Sequence, residues 1–174
     1  MEKQPLLPAD IEWHLVGHLQ RNKVKHIASF VSLVHAVDSF RLLEEIDKQG
    51  GKCSRIIPCL LQVYIATEET KFGMDAEEVR SLIRAGNVEK LRHVRIDGLM
   101  GMASLTADTS QVQAEFHGLK IFFDELKASS LPPNIGMKEL SMGMSGDFEI
   151  ALKEGSTLVR IGTAVFGERK PNLG

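Results

Sequence analysis

Leu140-Ser141-Met142-Gly143-Met144-Ser145-Gly146-Asp147, and then Gly155-Ser156-Thr157-Leu158-Val159-Arg160-Ile161-Gly162-Thr163-Ala164-Val165-Phe166-Gly167, decide how the rest of the chain is read. Each half is a short apolar strand that runs straight into small residues and hydroxyls. The first, 140–144, ends at Ser145-Gly146 ahead of an acidic, helix-starting segment with Asp147 and Glu149. The second, 157–161, ends at Gly162-Thr163. Two adjacent strand ends that offer Ser, Gly and Thr turn backbone N–H groups and hydroxyls toward one point, as a dianionic phosphate requires. Arg160 lies just before the glycine, where its guanidinium reaches a second part of the same ligand. Either turn alone is an ordinary strand-to-helix turn in which glycine relieves backbone strain. The pair, with Arg160, points to a phosphorylated cofactor.

Outward from this stretch, apolar runs of strand length alternate with segments of helical period. Strands are predicted at 11–16, 33–37, 56–65 and 94–102, and the intervening helices at 22–30, 40–49 and 75–85. Ser39 reads as the N-cap of the second helix and Gly50-Gly51 as its stop; Asp75 caps the third and Gly86-Asn87 ends it. The longest helix, 109–127, places Val112, Phe116, Leu119, Phe123 and Leu126 on one face. Leu131-Pro132-Pro133-Asn134 then breaks the chain before the last two strands. About six strand–helix units with nearly continuous apolar strands imply an α/β fold whose parallel sheet is buried on both faces. A closed (β/α)8 TIM barrel needs about eight such units.

Composition bounds the function. Of 174 residues 43% are hydrophobic and 25% charged, ordinary for one globular domain spanning 1–174. Lys+Arg 21 against Asp+Glu 23 gives a net charge of -2, without the basic surplus that binds nucleic acid. No apolar run approaches a membrane span, and Met1-Glu2-Lys3-Gln4-Pro5 lacks the apolar core of a signal peptide. Cys53 and Cys59, without metal-like spacing, suggest a reducing cytoplasm. His14 and His18 are spaced i,i+4 but fall on a strand and its exit, so they make a poor metal pair. Glu68-Glu69 and Glu77-Glu78 read as solvated charge, and Ser156-Thr157 has no histidine–acid pair near it for nucleophilic hydrolysis. Met100/Met102 and Met142/Met144 alternate at strand spacing, as barrel filling would.

The C-terminal pair of motifs also resembles the signature of the pyridoxal phosphate homeostasis proteins (the YggS-like family), which share the barrel of alanine racemase. Trp13-His14-Leu15-Val16-Gly17-His18-Leu19-Gln20-Arg21-Asn22-Lys23 is similar to that family's W-H-x-x-G-x-L-Q-x-N-K segment, and Lys71-Phe72-Gly73 and Gly98-Leu99-Met100 fall where it has a K-x-G turn and a G-L-M strand. The resemblance implies a TIM barrel of which this chain holds about six of eight units, the first two missing. It also implies a non-enzymatic protein of intracellular pyridoxal 5'-phosphate homeostasis. In the family a Schiff-base lysine ends the first strand. None of Lys23, Lys71 and Lys138 matches it, so non-covalent binding is the most this chain is expected to achieve. The resemblance would set Arg160 against the pyridine nitrogen and Ser145, Gly162 and Thr163 on the phosphate, with Ile161 adding a backbone N–H. His14 would contact the ring or serve as a hydrogen-bonded core residue; Lys71 would touch the phosphate or cap the following helix. The alternative is an amino-acid racemase, which needs a second base, usually a tyrosine from another domain; Tyr64, mid-strand, is the one tyrosine here. Open edges on 11–16 and 157–161 imply self-association or a longer polypeptide, and loss of function remains a third reading of the chain as written.

Overall fold

The computed structural model describes residues 4–66 and 72–167. Six strands form one sheet: β1 (Trp13–Leu15), β2 (Val31–Val37), β3 (Ile57–Tyr64), β4 (Val94–Met102), β5 (Ile135–Met144) and β6 (Leu158–Arg160). They lie side by side in chain order and every neighbouring pair is parallel. Helices α1 (Arg21–Val24), α2 (Phe40–Lys52), α3 (Ala76–Arg84), α4 (Thr109–Ala128) and α5 (Phe148–Lys153) link successive strands, and α6 (Thr163–Phe166) follows the last. Strict sequential order without a reversal is the winding of a barrel rather than of a doubly wound sheet.

The sheet is curled into a partial barrel, and one bond shows it. The His35 Nδ1 on β2 lies 2.9 Å from the Ser141 Oγ on β5. In a flat sheet those strands stand three spacings, about 14 Å, apart. Only strong curvature toward that face brings the two short side chains into contact.

Two apolar clusters match the two faces. The larger combines α2 (Leu42, Leu43, Ile46), α3 (Val79) and α4 (Phe116, Leu119) with Leu61, Leu99 and Leu140 on the strands. All five residues expected on the inner face of α4 are buried, with Phe122 beside them. The smaller cluster, Leu33, Ala36, Leu60 and Met100, contains no helix residue and fills the concave side. Met100 and Met102 therefore fill the barrel as expected, whereas Met142 faces the helices and Met144 is exposed at the strand end.

Several local expectations are corrected. Helix α2 passes through Gly50-Gly51 to Lys52 instead of stopping there. A Cβ on Gly50 would meet the Arg55 carbonyl oxygen at 2.9 Å and His93 at 3.0 Å, so that glycine permits close packing. Ser39 does occupy the N-cap of α2, where its carbonyl accepts the Leu42 and Leu43 N–H groups, but its hydroxyl makes no cap bond and donates to Asp38 Oδ1 instead. Asp75 does cap α3, in a reciprocal box: Asp75 Oδ1 accepts the Glu78 N–H and Glu78 Oε2 accepts the Asp75 N–H, each at 2.8 Å. Helix α1 is a single turn, and β5 begins at Ile135, where Lys138 and Glu139 interrupt the apolar pattern in the sequence. Tyr64 is the last residue of β3 rather than mid-strand.

Two glycines should respond oppositely to the same substitution. A Cβ on Gly98 would lie 1.8 Å from the Glu139 carbonyl oxygen, inside the β4–β5 pairing, whereas one on Gly118, within α4, meets nothing. Urea unfolding is expected to show Gly98→Ala losing about 4 kcal/mol or more and Gly118→Ala gaining about 0.5–1 kcal/mol. Similar effects from both would contradict the close approach.

Candidate functional site

The two C-terminal turns come together beyond the ends of β5 and β6. After β5 the chain is pinched by reciprocal bonds: the Met144 N–H donates to Asp147 Oδ1 at 2.5 Å, and the Asp147 N–H donates to the Met144 carbonyl at 3.1 Å. Ser145 and Gly146 form the tip of that turn. They share the lining of a cavity of about 520 Å3 with Arg160, Gly162, Thr163 and Phe166. Four residues singled out from the sequence, Ser145, Arg160, Gly162 and Thr163, therefore meet around one space.

Their hydrogen bonds refine the expected roles. Ser145 Oγ accepts from the N–H groups of Gly162 and Ala164, each at 3.2 Å. A hydroxyl has two acceptor lone pairs and one donor, so the Ser145 O–H is what remains for a ligand. The Gly162 N–H, expected to face the phosphate, is instead committed to Ser145; the small, exposed Gly162 keeps the approach open. Ile161 is half-buried and does not line the cavity. Lys71 lies outside the described residues. Ser156 and Thr157 are structural, tying β5 to β6 through the Met142 carbonyl, the Leu140 N–H and Glu139.

Arg160 is held more tightly than its position at a strand end suggests. Its Nη1 donates to Ser141 Oγ at 2.8 Å and its Nη2 to the Gly101 carbonyl on β4 at 2.9 Å. Its Nε is buried and has no partner among the described residues. Burial pulls the guanidinium down to about 10 while Asp147 opposes that shift, so it stays charged at neutral pH. A buried unpaired N–H costs about 1–3 kcal/mol, more for a charged group, and that cost disappears once a ligand supplies an acceptor.

Behind Arg160 the sheet carries two residues that the sequence reading passed over, Ser141 and His35. Ser141 is fully buried, and His35 is 2% exposed. His35 Nε2 in turn lies 3.1 Å from His14 Nδ1. His14 therefore occupies the concave side, on the edge strand β1, but belongs to this hydrogen-bonded line and not to the cavity lining. The available signal was a polar residue flanked by apolar ones in each of two strands, Val34-His35-Ala36 and Leu140-Ser141-Met142. His18 pairs with Asp38 at 3.3 Å, away from His14's partner. Among the described residues, no group of three or more His, Cys, Asp or Glu could hold a metal, and no helix is long and apolar enough to cross a membrane. Tyr64 lines a neighbouring cavity of about 260 Å3 that shares Met144 with the first.

Residues 3–170 match the family of the alanine racemase N-terminal domain. The pyridoxal phosphate homeostasis protein of Aquifex aeolicus is 39% identical over 167 residues, covering 96% of this chain and 71% of that protein. PipY of Synechococcus elongatus, solved without PLP, superposes with a TM-score of 0.84 at 36% identity, over 95% of this chain and 75% of PipY. The same protein solved with PLP bound gives a TM-score of 0.81. Alanine racemase from Clostridium difficile shares the fold alone, with a TM-score of 0.65 at 15% identity over 93% of this chain and 41% of the racemase.

His35 makes the pH dependence of the site testable. Burial first, then His14 and Arg160, push its imidazole down from 6.5 to about 4. The unfolded chain then binds a proton between about pH 6.5 and pH 4 that the folded one refuses. Stability from this group is full above pH 6.5 and falls as pH drops through that window, by at most about 3 kcal/mol. Unfolding curves of the native chain and of His35→Gln, recorded from pH 7 to 4, should differ by that slope. Parallel curves would show that His35 titrates normally.

Proposed function

We propose that this chain, which belongs to the family of the alanine racemase N-terminal domain and within it to the pyridoxal phosphate homeostasis proteins, binds pyridoxal 5'-phosphate at the Arg160 cavity and buffers its free level without catalysing turnover. One observation carries the reading. A buried, charged Arg160, whose Nε–H has no partner among the described residues, lies beside two turns rich in hydroxyls. A phosphorylated pyridine supplies both complements, an acceptor ring nitrogen and an anion. The residues present therefore fit the cofactor. PipY, solved with PLP bound, supports the same reading.

Each residue then has a distinct task. The Ser145 hydroxyl, with its acceptor pairs already filled, donates to a phosphate oxygen, and Thr163 adds a second hydroxyl at the rim. Arg160 would serve as the donor to the ring nitrogen. Guanidinium does not give up its proton, so it holds that nitrogen unprotonated. When bound, the cofactor supplies an aldehyde for reversible combination with amines and an electron-withdrawing ring. Beside Arg160 that ring is a weak electron sink, which suits retention more than reaction. Racemisation, the alternative, needs a base on each face of the ring, and the likeness to racemases is one of fold. The reduced thiols of Cys53 and Cys59 support a reducing compartment such as the cytoplasm. In the six-stranded sheet β1 and β6 each have one neighbour, which favours pairing of these edges between copies. Light scattering should then give a dimer or larger species, and a stable monomer would contradict the pairing.

Absorbance titration with pyridoxal 5'-phosphate is expected to saturate at one equivalent and to be competed by inorganic phosphate. Ser145→Ala and Thr163→Val should each weaken binding about tenfold, the value of one charge-assisted hydrogen bond, with the Tm of the free protein little changed. Absence of saturable binding, or variants that bind as well as the parent, would reject the site.

A further inference from the structure

The phosphate turns leave unexplained why a histidine and a serine are buried behind Arg160. The hydrogen-bond directions supply a reason. Arg160 can only donate, so Ser141 Oγ accepts from Nη1 at 2.8 Å. Ser141 is fully buried, and its other side-chain contact is His35 Nδ1 at 2.9 Å. A buried hydroxyl proton without an acceptor is costly, so it goes to His35 Nδ1. An imidazole that accepts at Nδ1 carries its own proton on Nε2, which donates to His14 Nδ1 at 3.1 Å. His14 then holds its proton on Nε2, at the open end of the line. All the donors point one way, from β6 through β5 and β2 to β1. The opposite setting at His35 would aim two donors at Ser141 and strand the serine proton in the core.

The line also resists charging. The groups that act on His35 are His14 on β1 and the Arg160 cation on β6, and both disfavour a proton there. Between them the concave face of β3 and β4 presents Leu60 and Met100, which are apolar. His35 therefore remains a neutral acceptor for Ser141 wherever the protein is folded near neutrality.

We propose that His35 is the positioning residue of the site: by taking the Ser141 proton it fixes Ser141 as an acceptor for Arg160 Nη1, and so holds the guanidinium, which can only donate, in the orientation that favours rings whose nitrogen is unprotonated. This rests on the pyridoxal phosphate reading above and adds its specificity element. Nothing in His35 touches the ligand; it acts through Ser141 and Arg160.

The test compares three probes, pyridoxal 5'-phosphate, its 1-deaza analogue with CH in place of the ring nitrogen, and inorganic phosphate. The native protein should favour the first over the second by about tenfold, one hydrogen bond's worth. His35→Leu should bring that ratio to within about twofold while phosphate binding stays unchanged, and His35→Gln, which keeps an acceptor for Ser141, should restore it. A His35→Leu protein that keeps the full preference overturns the proposal, as does one that loses all three probes together, or a native protein that binds the two rings equally. Imidazole 15N NMR on the native protein, with Ser141→Ala as comparison, reads the line without any ligand. His35 protonated on Nε2, with Nδ1 shifting when the serine is removed, supports it; His35 protonated on Nδ1 sinks it. If the native protein binds no pyridoxal phosphate, the functional reading fails on its own, and the NMR result still decides the direction of the line.

Discussion

A guanidinium buried at the end of an apolar parallel sheet is the constraint to which the rest of this molecule answers. Taking a full charge out of water is expensive, by several kcal/mol after relaxation. Among the described residues no carboxylate is bonded to it; the acceptors are a serine hydroxyl and a backbone carbonyl. Neutral acceptors of this kind return only part of the lost solvation. The geometry needed to supply even those is demanding. The Gly101 carbonyl comes from β4, Ser141 from β5, and Ser141 is itself held by His35 on β2. Four strands must curl around one point for the set to exist. The curvature of the sheet and the electrostatics of the site are thus one requirement.

Arginine and glycine share the work of that curvature. Gly98 lets the Glu139 backbone come closer than any side chain would permit, where β4 meets β5. Gly101, three residues further along, offers its carbonyl to Arg160, and a Cβ there would meet Leu119 at 2.6 Å on the helix side. Close strand approach and close helix packing bracket the same strand. The segment Gly98-Leu99-Met100-Gly101 can therefore be read as a spacing device: small where backbone or helix presses in, large at Leu99 and Met100 where each face of the sheet needs filling.

Much of this was legible in the residues. The alternation of apolar strands and amphipathic helices reports burial, and burial drives the layering, so element type and order follow directly. The two terminal turns were legible because Ser145, Arg160, Gly162 and Thr163 are close in sequence to the strand ends that bring them together. The hidden part depends on curvature. His35 and Ser141 are 106 positions apart and meet only because the sheet bends; along the strands each reads as a polar residue flanked by apolar ones. The Ser145–Gly162 bond was hidden for a different reason. A motif specifies which donors gather at a point but not which of them satisfy one another when no ligand is present. Gly50-Gly51 misled because glycine ends helices and also permits close packing, and only the position of His93 separates the two uses.

The same bonds connect binding to stability. In the free protein Arg160 keeps a buried Nε–H without an acceptor among the described residues, and the outward Ser145 proton has its acceptor in solvent or ligand. An acceptor ring and an anion would satisfy both, and a ligand that carries them would have no equivalent site in the unfolded chain. Such a ligand stabilises the fold by RT ln(1 + [L]/Kd), about 2.7 kcal/mol at a hundredfold excess over Kd. Because Arg160 touches β4 and β5 as well as its own strand, that gain is spread across the middle of the sheet rather than confined to the turns.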